Sequence, residues 1–240
     1  MTPWRDRLAL SVKHAARRFG LELARYNATN VFDAQRARLM QVHGVDLAVD
    51  VGANEGQWAL GLRRSGYRDA IVSFEPLTRA RHILERAAAR DRGWTCRPEA
   101  ASDETGHAEL HVAANAVSSS LLAMEQRHAD AAPGSEVVDT ERVRTVRLDD
   151  VDLAGTRVIL KLDVQGAELR VLAGAEGLLR RVVLVEAELS FERLYAGSAL
   201  WEEIVEYLRA RGYVLAAVSP SWVDDKTGLL IQADAIFVRA

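Results

Sequence analysis

Cysteine and long apolar runs are scarce in this chain, and each absence excludes a class of protein. The single cysteine, Cys96, leaves no partner for an intrachain disulfide and no cysteine cluster for zinc, which is typical of a reducing compartment. No window approaches the roughly 18 uninterrupted apolar residues of a transmembrane helix, and the N-terminus has no apolar stretch of signal-peptide length. We therefore expect a cytoplasmic protein without a membrane span.

Net charge and lysine are also low. The 240 residues carry a formal net charge of −3, which gives no global field to attract nucleic acid, so we expect no nucleic-acid partner. Lysine occurs only as Lys13, Lys161 and Lys226, and such an arginine bias is typical of a GC-rich, bacterial coding sequence. A content of 49% hydrophobic and 27% charged residues suits one globular core with an extension.

Residues 1–44 are predicted to form an N-terminal helical extension. Apolar residues recur at helical spacing over Pro3–Tyr26, with arginines between them, which indicates a basic amphipathic helix that Gly20 can break. A second helix is predicted over Val31–His43 and ends at Gly44. The extension can pack on the domain, support a homodimer or make peripheral contact with an anionic membrane, and its alanine-rich apolar face favours packing.

Strands and helices alternate over residues 45–240, which predicts an α/β domain with a doubly wound parallel sheet. The last two strands are joined without a helix, so we expect an antiparallel final strand. Residues 113–142 form a long polar connection that we interpret as a lid or substrate loop. The predicted strands are Leu47–Val51, Ala70–Phe74, Thr95–Ala100, Ala108–Val112, Val143–Arg147, Val158–Leu162, Val182–Glu186, Tyr213–Val218 and Ala235–Val238, and the predicted helices are Gln57–Ser65, Thr78–Arg90, Glu168–Leu179 and Ala199–Arg211.

A glycine-rich turn follows the first predicted strand. Gly52 and Gly56 can take positive φ, and the helix that starts behind them points free N–H groups at a ligand. Glu75, at the end of the second strand, is placed to accept both ribose hydroxyls of a nucleotide. The turn lacks the dinucleotide pattern G-x-G-x-x-G and carries Asp50, which would repel a pyrophosphate and attract the ammonium of a methionyl group. These charges favour S-adenosylmethionine over NAD.

Further motifs follow this turn along the chain. The stretches are DVGANEGQWALGLRRSGY at 50–67, FEP at 74–76, ASDETG at 101–106, SSL at 119–121, LDD at 148–150, LKLDVQGAELRVLAGAEGLL at 160–179, VEAELSFERLY at 185–195 and QADAIFV at 232–238. In this order they resemble the FkbM-type S-adenosylmethionine-dependent methyltransferases. The resemblance implies a Rossmann-like class I methyltransferase fold and methyl transfer to a hydroxyl, commonly of a sugar or polyketide.

The resemblance also implies which residues bind the cofactor. Residues of the glycine-rich turn would surround the methionyl part, and Glu75 with its neighbour Pro76 would hold the ribose. Three residues after the third strand would contact adenine, although a plain turn before Gly106 accounts for the same residue types. The turn residues are Asp50, Gly52, Ala53, Asn54 and Gly56, and the adenine residues are Ala101, Ser102 and Asp103.

Asp163 is the candidate catalytic residue. It stands at the C-terminal end of a central predicted strand, where open α/β sheets bind ligands, and an alcohol needs a base to accept its proton as it attacks. Contact with the cofactor's ammonium, or capping of the helix from Glu168, are the alternatives. A divalent metal held by Asp163, Glu186 and Glu188 is a further alternative, which we do not favour because the set departs from the familiar Asp-Asn pattern.

Acceptor binding is assigned to the polar loop and to an aromatic residue near the C-terminus. Ser119, Ser120 and His128 lie in the loop, and Trp222, in a loop before the last strand, can stack on a sugar ring. Each is also an ordinary loop or packing residue. We therefore predict an O-methyltransferase that acts on a hydroxyl of a small-molecule sugar, glycolipid or glycosylated natural product. An NAD-dependent oxidoreductase and a catalytically silent S-adenosylmethionine-binding module are the alternatives.

Overall fold

The computed structural model describes residues 12–240. The N-terminal helix predicted over Pro3–Tyr26 falls partly outside this range. Within the range, residues 12–17 are helical, and a turn at Gly20, whose φ is +72°, follows them. The break predicted at Gly20 is observed, because a glycine in the left-handed region ends a helix, and residues 21–26 are not helical.

The later residues form helices α1 to α6 and strands β1 to β10. The helices are α1 (Phe32–Val42), α2 (Gln57–Arg64), α3 (Thr78–Ala88), α4 (Gln126–Ala131), α5 (Glu168–Ala173) and α6 (Trp201–Arg209). The strands are β1 (Leu47–Val51), β2 (Ala70–Phe74), β3 (Trp94–Arg97), β4 (Ala100–Ala101), β5 (Gly106–Ala113), β6 (Val137–Val146), β7 (Val158–Leu162), β8 (Val182–Ser190), β9 (Tyr213–Val223) and β10 (Leu230–Arg239). Among residues 12–240, no helix has both the length and the apolar composition that crossing a bilayer requires.

Seven strands form the main sheet in the order β3-β2-β1-β7-β8-β10-β9. Neighbouring strands are parallel except at β10, which runs antiparallel to both β8 and β9. This confirms the predicted architecture, a mostly parallel doubly wound sheet with an antiparallel final strand. Every residue of β1 and β7 is buried, as expected for central strands that helices cover on both faces.

The polar segment 113–142 is more ordered than a plain loop. Strand β5 reaches into it, β6 begins within it, and α4 lies between them. Strands β4, β6 and β5 form a second, three-stranded sheet. Two isolated bridges, His111 with Ser120 and Met124 with Tyr195, tie the remaining residues to the rest of the chain. Segment 113–142 therefore contains regular secondary structure and is paired with other parts of the chain.

One predicted helix, Glu168–Leu179, is shorter than expected. Helix α5 ends at Ala173, and a 3₁₀ turn covers Leu178–Arg180 after the break. A Cβ added to Gly174 would lie 2.0 Å from the carbonyl oxygen of Ser102. Glycine at this helix end lets the backbone approach another backbone segment closely, a requirement that helical periodicity does not reveal.

Candidate active site

A cavity of about 610 Å³ opens at the C-terminal ends of the parallel strands. Open α/β sheets bind ligands at this edge, and the volume is in the range of small-molecule sites. Most of the residues singled out in the sequence line it. They are Gly52, Ala53, Asn54, Glu75, Pro76, Ala101, Ser119, Ser120, His128, Asp163, Glu186, Glu188 and Trp222.

The glycine-rich turn passes close to the end of β7. Gly52 has a φ of +74°, and a Cβ added to it would lie 1.8 Å from the carbonyl oxygen of Asp163. The backbone N–H groups of Gly52 and Ala53 both donate to the carbonyl of Phe74, at 3.1 and 3.0 Å, and Asn54 adopts a φ of +48°. The turn is thus fixed to the strands on either side of β1, and its place on the cavity wall depends on glycine at position 52.

Glu75 directly follows β2 on the cavity wall. Its Oε2 accepts the backbone N–H of Asn54 at 2.7 Å, and its Oε1 accepts that of Leu77 at 2.8 Å. The residue is 6% exposed, and burial raises the pKa of Glu75 to about 7 against the two N–H donors, which lower it. Because a carboxylate oxygen can accept more than one hydrogen bond, Glu75 retains capacity for two further donors such as ribose hydroxyls.

A row of polar side chains crosses four strands of the main sheet. In the strand register, Asp50 on β1 pairs with Ser73 on β2 and with Lys161 on β7, and Lys161 pairs with Glu186 on β8. Residues paired in register on neighbouring strands lie on the same face of a sheet. The row alternates in charge from Asp50 through Lys161 to Glu186, so no two like charges are neighbours along it.

Asp50 is fully buried and does not line the cavity. Its Oδ2 accepts the hydroxyl of Ser73 at 3.2 Å, and its Oδ1 lies 3.6 Å from Nζ of Lys161. The ammonium of Lys161 donates to Oδ2 of Asp163 at 3.0 Å and to the carbonyl of Gly52 at 3.4 Å. Burial lowers the pKa of Lys161, but Asp163 and Asp50 outweigh it and hold the pKa above its usual range. Lys161, and not Asp50, therefore presents its charge on the wall.

Asp163 directly follows β7, and 39% of its side chain is exposed. Lys161 binds its Oδ2, and Nε2 of Gln165 donates to its Oδ1 at 3.0 Å. Gln165 adopts a φ of +53°, accepts the hydroxyl of Tyr195 on Oε1 at 2.7 Å, and donates to Glu188 at 2.9 Å. Sequence reasoning missed Lys161 and Gln165, although both stand two residues from Asp163 in the LKLDVQG stretch.

Arg36 brings the N-terminal extension into the site. It lies on α1, and its guanidinium makes a two-point pair with Glu186, at 2.5 Å from Nε and 2.6 Å from Nη2. Nη1 binds Asp33 at 2.6 Å, and Nε1 of Trp58 donates to Glu186 at 3.1 Å. Burial lowers the pKa of Arg36, but Glu186 outweighs it and keeps the guanidinium charged. Sequence reasoning also missed Arg36, since arginine recurs along this whole region.

The carboxylates of the metal alternative already have other partners. Both oxygens of Glu186 are bound by the guanidinium, and Oε2 of Glu188 accepts two glutamine amides at 2.9 and 2.6 Å. Over residues 12–240, no three His, Cys, Asp or Glu side chains are grouped as metal ligands would be.

Two acidic side chains face each other across β8 and β10 on the cavity wall. Asp234 is the register partner of Glu188. Burial, and then the charge of Glu186, raise the pKa of Asp234 to about 6. The pKa of Glu188 is raised well above its usual value, first by burial and then by Asp163. This part of the wall holds acceptors for hydrogen-bond donors such as hydroxyl groups.

His128 and Trp222 contact each other in the cavity wall. The ring centroid of His128, on α4, lies 5.1 Å from the ring centroid of Tyr195 and 5.3 Å from that of Trp222. Its Nε2 is 3.2 Å from Oγ of Ser118, its buried Nδ1 has no partner among the described residues, and burial lowers the pKa of His128. Trp222 lies in β9 and not in the predicted loop, because that strand continues to Val223.

The two serines of the polar segment have backbone partners. Ser120 donates to the carbonyl of Gln165 at 2.7 Å, and Oγ of Ser119 accepts the N–H of Ala113 at 3.1 Å. Both line the cavity. Ser120 holds the segment against the loop that follows β7, and Ser119 binds the end of β5. Each hydroxyl keeps further hydrogen-bonding capacity for a ligand.

Some predicted cofactor residues lie off the cavity wall. They are Asp50, Gly56, Ser102 and Asp103. A Cβ on Gly56 would come within 2.9 Å of side-chain atoms of Leu84 and Trp94, so this glycine serves packing of the turn. Ser102 is buried and donates to Asp103 at 2.8 Å, and Asp103 also accepts Nε of Arg170 at 2.9 Å. Of the predicted adenine residues, only Ala101 reaches the cavity.

Comparison with known protein families identifies the family of this chain. The sequence profile of the Methyltransferase FkbM domain matches residues 50–215, which is more than half of the chain. The chain belongs to the FkbM methyltransferase family. The match contains the glycine-rich turn, Glu75 and Asp163, and membership in a methyltransferase family supports the predicted methyl donor, S-adenosylmethionine. No curated protein matches the chain.

Solved structures resemble this FkbM methyltransferase in fold. An FkbM methyltransferase from Methylobacillus flagellatus KT aligns with a TM-score of 0.50 and 16% identity, covering 80% of this chain and 43% of that one. A magnesium protoporphyrin IX methyltransferase with bound SAM from Synechocystis PCC 6803 has a TM-score of 0.49 and 10% identity, covering 87% and 78%. A rRNA methylase from Streptococcus thermophilus has a TM-score of 0.47 and 10% identity, covering 91% and 99%. The chain spans less than half the length of the FkbM relative.

Proposed function

We propose that this FkbM methyltransferase is an S-adenosylmethionine-dependent O-methyltransferase that acts on a hydroxyl of a sugar, glycolipid or glycosylated natural product. The observation that carries the proposal is that the glycine-rich turn, Glu75 and Asp163 meet on one cavity wall. The turn and Glu75 suit a nucleoside, and Asp163 places a carboxylate beside it. Family membership supports methyl transfer as the reaction.

The cavity wall suits S-adenosylmethionine in shape and in chemistry. Glycine at position 52 lets the turn lie against the backbone of Asp163 on the cavity wall, Glu75 offers acceptors to the ribose, and Ala101 provides an apolar contact for adenine. When bound, the cofactor supplies a methyl group on a positively charged sulfur, which becomes a neutral thioether once the acceptor oxygen has taken the methyl group. Asn54 and Pro76 complete the surface that we assign to the cofactor.

Asp163 would accept the proton of the acceptor hydroxyl as the new carbon–oxygen bond forms. Its two oxygens are held by Lys161 and Gln165, so the carboxylate keeps one orientation. Its partial exposure leaves it accessible from the cavity. Placing the acceptor oxygen in line with the methyl group would supply the rest of the rate gain, since positioning alone contributes several kcal/mol.

The acceptor would occupy the part of the cavity lined by Trp222, His128, Ser119 and Ser120. A sugar ring presents C–H faces that pack on an aromatic ring and hydroxyls that pair with serine and carboxylate oxygens. Three of these four residues come from segment 113–142, which supports its role as the substrate-binding segment. A small-molecule acceptor fits a cavity of about 610 Å³.

We propose that the reaction needs no divalent metal, because the oxygens of Glu186 are already bound by Arg36. Methyl transfer should then continue after treatment with EDTA and dialysis. Activity that disappears with EDTA and returns with Mg²⁺ would contradict this part of the proposal.

Calorimetry and a methyl-transfer assay test the function. S-Adenosylhomocysteine should bind in the micromolar range and NAD should not bind. Tritiated methyl from S-adenosylmethionine should then be transferred to members of a panel of glycosides. Asp163→Asn should lower turnover by about 100-fold or more while changing cofactor affinity little, whereas the exposed control Asp152→Asn should change neither. A binding defect without a turnover defect in Asp163→Asn would make Asp163 a cofactor contact.

A further inference from the structure

Two positively charged side chains line the cavity in the part of the chain that the structure describes, Arg36 and Lys161. Each nitrogen of the Arg36 guanidinium already has a carboxylate partner, because Nε and Nη2 bind Glu186 and Nη1 binds Asp33. A negatively charged group of a ligand therefore finds the ammonium of Lys161 as its positive partner on this wall.

The ammonium of Lys161 lies closer to the carboxylate at the cavity edge than to the buried carboxylate. It is 3.0 Å from the carboxylate of Asp163, at the cavity edge, and 3.6 Å from that of Asp50. Oδ1 of Asp50 is buried and forms no hydrogen bond with any described residue. A buried ion pair that served structure alone would be expected to satisfy its oxygens more completely. Asp50 thus balances the charge of Lys161 without holding its N–H groups.

Lysine is itself unusual in this chain. Lys161 is one of three lysines among 31 basic residues. Its compact ammonium fits beneath the carbonyl of Gly52, at 3.4 Å, where a planar guanidinium with five donors would need more acceptors. Position 161 therefore suits the compact charge of lysine better than the larger guanidinium of arginine.

We propose that Lys161 binds the carboxylate of the methionyl end of the cofactor, an inference that rests on the function proposed above. The methionyl end carries both a carboxylate and an ammonium, and a charged N–H donor selects the carboxylate. The predicted contact between Asp50 and the ammonium of the cofactor is thereby replaced by a contact of the opposite sign. Asp50 acts through Lys161, whose charge it balances from beneath the wall.

Calorimetry with two ligands tests the inference. S-Adenosylhomocysteine carries the carboxylate and the amine, whereas S-adenosyl-3-thiopropylamine keeps the amine and lacks the carboxylate. The wild-type protein should bind the first ligand roughly tenfold or more tightly than the second, as expected for one charge-assisted hydrogen bond. Lys161→Met should weaken the binding of S-adenosylhomocysteine by about that factor and leave the affinity for S-adenosyl-3-thiopropylamine unchanged.

A second variant guards against a folding defect. Because Lys161→Met leaves the charge of Asp50 buried without a cation, the double variant Asp50→Asn/Lys161→Met removes both charges, and thermal melting checks that each variant is folded. A preference for S-adenosylhomocysteine that survives in a folded variant, or an equal loss for both ligands, would overturn the inference. Equal binding of both ligands by the wild type would overturn the role of Lys161 and leave the proposed function standing. No binding of S-adenosylhomocysteine would overturn both.

Discussion

Cofactor affinity should follow the ionisation of Glu75. In the free protein, burial raises the pKa of this residue from 4.5 to about 7, a shift that corresponds to about 3 kcal/mol between its two protonation states. The N–H groups of Asn54 and Leu77 already favour the ionised form, and ribose hydroxyls that donate to the same carboxylate would add to them. Binding should therefore lower the pKa of Glu75 and release a proton when it takes place below pH 7.

The size of this effect follows from the pKa. With a pKa of about 7, Glu75 is roughly 10% ionised at pH 6 and roughly 90% ionised at pH 8. If the bound form stays ionised, the affinity for S-adenosylhomocysteine rises by roughly tenfold between these two pH values. Titration calorimetry in two buffers of different protonation enthalpy measures the affinity and the released proton together. Glu75→Gln should bind more weakly by at least about 1 kcal/mol and should lose the pH dependence.

Asp234 provides the matched control for Glu75. It lines the same cavity and its pKa is raised to about 6, so Asp234→Asn tests whether another acid causes the rise. This variant should keep the tenfold change, and the reasoning fails if wild-type affinity is flat from pH 6 to 8 or if Glu75→Gln shows the same rise.

The stability of the ligand-free protein should change with pH in the opposite sense to the affinity. Because the folded-state pKa of Glu75 lies above its unfolded value, the ligand-free protein loses stability as pH rises from 4.5 to about 7, and Glu75→Gln removes that loss.

Two further predictions concern stability and are measured by urea denaturation. Gly52→Ala should cost well over 3 kcal/mol and abolish binding of S-adenosylhomocysteine, because its Cβ would overlap a backbone carbonyl oxygen at 1.8 Å. Gly66→Ala, at a φ of +102° with no atom near the added Cβ, should cost only about 1–2 kcal/mol, and similar losses in both variants would refute the steric argument. Arg36→Met should cost about 3–5 kcal/mol by leaving Glu186 buried without its cation, whereas Arg36→Met combined with Glu186→Met should recover most of it. A cost below about 1 kcal/mol for Arg36→Met would show that the pair contributes little.

The main sheet could be predicted because its central strands are short apolar runs between turn residues. Strands β1, β2 and β7 have the predicted bounds, and the alternation of strands with helices implied their parallel arrangement. Strand β6 shows the limit of this approach. Its first four residues are exposed, so they carry none of the apolar alternation that marks a strand in sequence, and the predicted start at Val143 was late.

The position of a residue on the cavity wall was predictable where it depends on local sequence, and contacts that depend on strand register were not. Glu75 and Asp163 follow buried strands directly, so their place at the carboxyl edge could be inferred. Nothing near Asp50 in the sequence indicates that Lys161 lies beside it, because this contact arises from the pairing of β1 with β7. Gln165 joins Asp163 to neighbours on other elements in the same way.

The alternating row of charges also connects the N-terminal extension to the cavity wall. Lys161 lies between Asp50 and Glu186, and Arg36, from α1, balances Glu186 at the end of the row. Without Arg36, three carboxylates near Lys161, those of Asp50, Asp163 and Glu186, would have no other paired cation among the described residues. Glu186 would then compete with Asp163 for the ammonium. Charge balance at Lys161 thus depends on a residue that lies outside the strands of the sheet. The extension is therefore part of the electrostatics of the site and is more than a cover for it.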